Sequence, residues 1–211
     1  MASYNKKEHL RANVEAIKTV FALHREQRTA TEEEMEVLRA YTGFGALKCI
    51  LSPANTMEDI AQWNKSELGL FPLVMELHRT IRDNTASESE YKSYMQSLKN
   101  SVMTAFYTPA PIVREIAVAL QEAGIVPKRI LDPSAGMGEF IRSFDTIAAE
   151  EHTTFGFEKD ILTGQMLSAL HPEDKIRPRL RGNRIQVRRL FRCGQQQHSF
   201  RRCGRLRPHF Q

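Results

Sequence analysis

The chain has 211 residues, 41% of them hydrophobic, enough for one ordinary domain with a packed core and a smaller appendage. No run of about 18 apolar residues exists, and the polar, mixed-charge start from Met1 to Glu8 is unlike a secretory signal, so a cytoplasmic place without membrane contact is expected. The formal charge of +5 sits at one end: eleven Arg and no Asp, Glu or Lys lie between Arg177 and Gln211, and without them 19 basic residues face 25 acidic ones, so overall charge is a poor argument for nucleic-acid binding.

A first amphipathic helix is predicted from Lys6 to about Arg25, where Leu10, Val14, Ile17, Phe21 and Leu23 recur mostly at helical spacing. Thr31 and Glu34 have the spacing of a capping box and open a second helix, through Met35, Val37 and Leu38, that is expected to stop at Gly43. Tyr41 to Gly45 then reads as a turn punctuated by glycine. A third helix is predicted from about Ser66 to Arg82, and a fourth from Ser87, with Glu90 completing a second capping box, to about Lys99. The region 1–100 is therefore expected to be mostly helical.

After Phe106 the pattern changes. A helix is predicted from Pro111 to Gly124, a short buried strand from Arg129 to Leu131, a helix from Glu139 to Ala149, a strand from Thr153 to Phe157, and a helix from about Leu162 to Leu170. Strands alternating with helices at this interval indicate an α/β fold, with a parallel sheet and crossover helices over about 101–176. Cys49, Cys193 and Cys203 fit neither a disulfide framework nor paired zinc spacing, and three reduced thiols are expected.

The chemistry concentrates in Asp132-Pro133-Ser134-Ala135-Gly136-Met137-Gly138: an acidic residue at a strand end, a tight turn with two glycines, then a helix. Glycines let a ligand approach the backbone, and the carboxyl ends of parallel strands form the crevice where nucleotide-like cofactors bind. A dinucleotide turn needs a third glycine, whereas Ile141 stands there, and Glu139 would face the diphosphate. Asp132 instead suits a cofactor with a positive amino group, which S-adenosyl-L-methionine has. Glu158, twenty residues beyond Gly138 at the end of the next strand, can accept from ribose hydroxyls.

The loop, the preceding Ala105-Phe106-Tyr107-Thr108-Pro109 and the strand ending in Glu158 resemble motifs I, X and II of the N-6 adenine DNA methylases, in the γ-type order with motif X first. The segment from Tyr41 to Cys49 is similar to one in the methylase-helicase proteins of bacterial mobile elements, and the likeness covers roughly residues 4–176. The resemblance implies a Rossmann-like methyltransferase sheet, S-adenosyl-L-methionine as cofactor, DNA as partner, and a helicase domain downstream in the full-length product. It also implies that Phe106, Tyr107 and Thr108 help enclose the cofactor, that Asp132, Pro133, Ala135, Gly136 and Gly138 form its loop, and that Glu158 holds the ribose.

The family grips the flipped adenine with an Asn-Pro-Pro-Tyr or Asn-Ile-Pro-Phe element, and none occurs in this chain. The resemblance implies more strands than the two that are predicted. The sheet is therefore expected to be incomplete and the chain truncated before its catalytic motif. Written back into codons, Val187 to Arg207 can encode, one nucleotide out of frame, a text containing Ser-Asn-Asn-Ile-Pro-Phe, so 177–211 is read as an out-of-frame tail; a genuine basic arm binding nucleic acid is the competing reading. Two functions follow: transfer of a methyl group to adenine N6 in DNA, or a non-catalytic DNA- or partner-binding fragment of a methylase-helicase protein.

Overall fold

Side-chain caps set the starts of three of the N-terminal helices. Asn5 accepts hydrogen bonds from the amides of Lys7 and Glu8 at the head of α1 (Lys6–Glu26), and Thr31 and Glu34 exchange both bonds of a capping box at the head of α2 (Glu32–Arg39). Pro72 lies in the first turn of α3 (Phe71–Asp83), where its missing N–H costs nothing. Ser87 caps α4 (Glu88–Thr104) through the Glu90 amide. The remainder comprises α5 (Ala110–Glu122), β1 (Arg129–Asp132), α6 (Glu139–Asp145), β2 (Thr153–Glu158), α7 (Ile161–Leu170) and β3 (Lys175–Pro178). This computed structural model describes residues 5–178 except 46, 53–55, 62 and 106; the expectations for Phe106, Cys193, Cys203 and the tail from residue 179 onward lie outside the described residues.

The three strands form one parallel sheet in the order β1-β2-β3, with α6 and α7 as the crossovers. Seven α-helices and a three-stranded parallel sheet among the described residues make a mixed α/β fold, the arrangement of part of a Rossmann-like sheet. The main core is helical. Leu10, Val14, Ile17 and Phe21 of α1 meet Leu38, Val74, Leu77, Ile81, Leu98 and Val102. Each large side chain so buried contributes about 1.5–3 kcal/mol. Leu162 and Met166 of α7 join this cluster, while Leu167 of the same helix packs with Ala135 and Ile141 beneath the sheet loop. One crossover helix thus ties the helical region to the sheet, and the described residues belong to a single compact unit. The border expected at 100/101 falls inside α4.

Several boundaries differ from expectation, each for a local reason. The second helix stops at Arg39 rather than Gly43, because the buried Asn13 of α1 takes the Thr42 amide on its Oδ1 (3.0 Å) and donates to the Gly43 carbonyl, pulling the chain out of helical register. The third helix starts at Phe71, after a tight 3₁₀ turn from Leu68 to Leu70. The second capping box is half formed: Glu90 turns its carboxylate to the Ala86 amide (2.8 Å) instead of that of Ser87. α6 ends at Asp145, and the Ala149 amide pairs with the Pro127 carbonyl, so the chain peels off toward β2.

The strand at Arg129 is not buried throughout. Leu131 is 42% exposed, on the face of β1 opposite to the buried Ile130, and β1 pairs only with β2 among the described residues. A third strand, β3, was not predicted. Lys-Ile-Arg-Pro is short, ends in proline and merges with the Arg-rich composition that follows, so no periodicity announces it. Among the described residues no helix is long and apolar enough to cross a membrane.

The Asn13 bracket is testable on its own. Asn13→Ala leaves the buried Gly43 carbonyl without its partner and frees the part-buried Thr42 amide to solvent, at a cost of about 1–3 kcal/mol. Urea unfolding should show that loss in midpoint; an unchanged midpoint would mean that the Tyr41–Gly45 segment does not depend on Asn13.

Candidate cofactor site

The loop between β1 and α6 is held from three sides. Asp132 Oδ1 accepts from the Ser134 amide (3.0 Å), closing an Asx turn directly after the strand. The Ala135 amide donates to the Phe157 carbonyl of β2 (2.9 Å), and the Gly136 amide donates to Glu158 Oε2 (2.9 Å). Gly136 and Gly138 both take positive φ, +53° and +81°. A side chain at Gly136 would begin 3.0 Å from the Tyr107 ring, so the aromatic rests against the loop where glycine fits best.

Glu158 is the junction of the site. Its Oε1 accepts from the Asp160 amide (2.7 Å) while Oε2 takes Gly136, so one carboxylate fastens the end of β2 to the loop after β1. Burial pushes its pKa up, and the amides of Asp160 and Gly136 pull it back toward the ionised form that can accept from both. Each oxygen keeps a second lone pair for a ligand. Asp160 in turn caps α7 through the Thr163 amide and is hydrogen-bonded by Ser97 of α4.

Above this frame lies a cavity of about 630 Å³, within the span of roughly 300–1,000 Å³ usual for small-molecule sites. Tyr107, Thr108, Ala135, Gly136 and Glu158 line it together, as do Ser134, Met137, Lys159 and Thr163. The Tyr107 and Thr163 hydroxyls meet at 3.4 Å, and burial pushes the Tyr107 phenol up to about 12. Asp132, Pro133 and Gly138 do not line the cavity: they shape the loop from behind. The Asp132 Oδ2 atom is buried with no hydrogen-bond partner among the described residues, and burial pushes its pKa up despite the Ser134 amide.

The helical region supplies a second wall that the sequence motifs did not announce. Tyr41, Thr42, Asn100, Ser101 and Thr104 also line the cavity. Tyr41 is 1% exposed, and its hydroxyl, close to Thr163 and Ser101, makes no well-formed hydrogen bond among the described residues. Burial, then the nearby Asp160 carboxylate, push that phenol well up, so it is a neutral donor. Gly43 explains the glycine in this segment. With φ +74°, it lies where a Cβ would come within 2.6 Å of Ala105 and 2.9 Å of Ser101, and the next amide, of Phe44, bonds Ser101 Oγ at 3.0 Å. Close approach to α4, rather than helix termination, requires it. The signal was visible as Tyr41-Thr-Gly-Phe-Gly45, but spacing alone did not say which surface it faced.

The site offers hydroxyls, backbone and the carboxyl groups of Glu139, Glu158 and Asp160, with Arg39 and Lys159 as its basic side chains. It carries no cluster of positive charge to hold a diphosphate. No known family model matches the chain, and no curated protein or solved structure matches it.

Proposed function

We propose that the protein binds S-adenosyl-L-methionine in the cavity between the Asp132–Gly138 loop, Glu158 and Tyr107, as the cofactor-binding half of an adenine-N6 DNA methyltransferase. The observation that supports this most is the convergence of three distant segments on one cavity: Tyr107 and Thr108, the glycine loop, and the acidic end of β2. Their fit to the cofactor is chemical. Glu158 retains acceptor capacity for ribose hydroxyls, and the Tyr107 ring, seated against Gly136, offers an apolar surface. Asp132 acts on the site through the loop, which its Oδ1 closes by accepting from the Ser134 amide. When bound, S-adenosyl-L-methionine supplies an activated methyl group.

Methyl transfer to adenine also demands an acceptor and an aromatic that grip the flipped base, and the sequence has no Asn-Pro-Pro-Tyr or Asn-Ile-Pro-Phe element for this. The unpaired edge of β1, flanked by exposed Leu131, Ile125 and Val126, is where a further strand would extend the sheet. The proposal is therefore cofactor binding without methyl transfer by this chain alone, with DNA as the substrate class of the complete enzyme.

Thermal unfolding tests it. Ligand at about 100 times its Kd adds about 2.7 kcal/mol to stability, so saturating S-adenosyl-L-methionine should raise Tm by several degrees while adenine-containing DNA gains no methyl group. An unmoved Tm would oppose the reading. Tyr41→Phe provides a separate check: removing a buried hydroxyl that makes no well-formed hydrogen bond should leave the free protein as stable or up to about 1 kcal/mol more stable, yet weaken cofactor binding several-fold if the hydroxyl donates to it. Equal affinities would remove Tyr41 from the site.

A further inference from the structure

At the other end of the strands, four potential ligands come together from four element ends. Asp145 closes α6, His152 immediately precedes β2, His171 caps the C-terminus of α7, and Asp174 immediately precedes β3. None of them lines the cavity beneath Tyr107. His152 Nε2 lies 3.1 Å from Asp145 Oδ1, and His171 Nδ1 lies 3.2 Å from Asp174 Oδ2. Ligand atoms of Asp145, His171 and Asp174 all fall within 4.8 Å of one another, and all three residues are partly buried.

Those spacings match what a small cation requires. Nitrogen and oxygen ligands at about 2.0–2.2 Å from a tetrahedral ion stand about 3.3 Å apart, so the Asp145–His152 and His171–Asp174 spacings are already right, while the spacings of up to 4.8 Å must close on the ion. The donor set is also selective. Imidazole paired with carboxylate suits a borderline divalent cation, whereas calcium and magnesium favour oxygen alone. Two carboxylates held this close also repel, a cost that a divalent ion between them would remove.

We infer that Asp145, His171 and Asp174, with His152 completing the set, form a binding site for a divalent transition cation, of which Zn²⁺ is the best match. The ion would cross-link α6, α7 and the entries to β2 and β3. It would also act on the cofactor loop from behind, since a Cβ at Gly138 would lie 2.6 Å from His171 Nε2. Fixing the imidazole fixes the surface against which the loop rests. This inference stands on its own ligands and does not depend on which molecule fills the cavity.

The test is titration of chelator-treated full-length chain with Zn²⁺, read by calorimetry and by Tm. Wild type should bind one ion saturably and unfold at higher temperature, whereas Ca²⁺ and Mg²⁺ leave Tm unchanged. His171→Gln and Asp174→Asn should each bind Zn²⁺ at least about tenfold more weakly. A chain with Cys193→Ser and Cys203→Ser should bind as wild type does. Absence of Zn²⁺ binding, undiminished binding by both variants, or loss of binding in the serine variant would each overturn the assignment. If His171→Gln or Asp174→Asn fails to fold, His152→Gln decides, because its side chain is 23% exposed and its replacement leaves the packing under Gly138 in place; a weakened Zn²⁺ response supports the site and an unaltered one counts against it.

Discussion

Gly138→Ala is expected to destabilise the protein by about 2–5 kcal/mol, the sum of about 1–2 for a non-glycine residue in left-handed backbone and about 1–3 for overpacking. The cause is specific. Gly138 has φ +81°, and an added Cβ would sit 2.6 Å from His171 Nε2 and 2.8 Å from Leu167 Cδ1, both on or at the end of α7, which anchors the two cores to each other. Gly124 separates the two contributions. Its φ is +71°, but nothing lies within 4 Å of its Cβ position. Gly124→Ala should therefore cost about 1–2 kcal/mol, and the difference between the two variants in urea unfolding measures the packing behind the loop. Equal losses would mean that α7 does not support the loop.

Glu158→Ala should have the second large effect, on stability and on binding together. The variant leaves the amides of Gly136 and Asp160 without their carboxylate, and hydrogen bonds to a charged group contribute about 1.5–3 kcal/mol each. Solvent entering the space will recover part, so a net loss of about 2–3 kcal/mol is expected, together with at least tenfold weaker binding of S-adenosyl-L-methionine. Glu158→Gln should fall between, since its amide oxygen serves one N–H while its NH₂ faces the other.

The pH dependence has a definite sign. The Glu158 pKa is raised in the folded state, so on acidification the folded protein takes up this proton before the unfolded chain does, and acid favours folding as far as this group is concerned. Binding runs the other way, because a protonated carboxyl accepts less well. Affinity should decline on acidification at a pH above the ordinary glutamate range, and Glu158→Gln should remove that decline. A wild-type affinity that stays flat until below the ordinary range would show that the carboxylate is not used.

Local chemistry made much of this legible in the sequence. The 3.6-residue pattern of Leu10, Val14, Ile17 and Phe21 marked α1 to within a residue, and the Thr31–Glu34 box marked the start of α2, because both signals depend on neighbours along the chain. The loop from Asp132 to Gly138 and the acid at Glu158 were likewise visible, since a strand, a glycine turn and a helix follow one another directly. What spacing could not show was that Glu158 reaches back to Gly136, or that Asp132 turns inward on Ser134 instead of lining the cavity.

The misses share one origin: tertiary partners override local preference. Asn13 ended α2 early by capturing a backbone amide twenty-nine residues away, and a helical face carrying one asparagine looks in sequence like an ordinary polar interruption. The Tyr41 wall was hidden because Gly43 reads as a helix stop, whereas its contacts are with Ala105 and Ser101 at the far end of α4. The His171 cluster was invisible for the same reason, its members being spread from Asp145 to Asp174 with no motif spacing.

The central claim is the identity of the molecule that fills the cavity, and calorimetric titration of the full chain with S-adenosyl-L-methionine, with NAD as comparison, tests it most directly. The account predicts saturable one-to-one binding of S-adenosyl-L-methionine, none of NAD, and loss of affinity in both Asp132→Ala and Glu158→Ala. Binding of NAD in its place, or S-adenosyl-L-methionine binding undiminished in both variants, would contradict it.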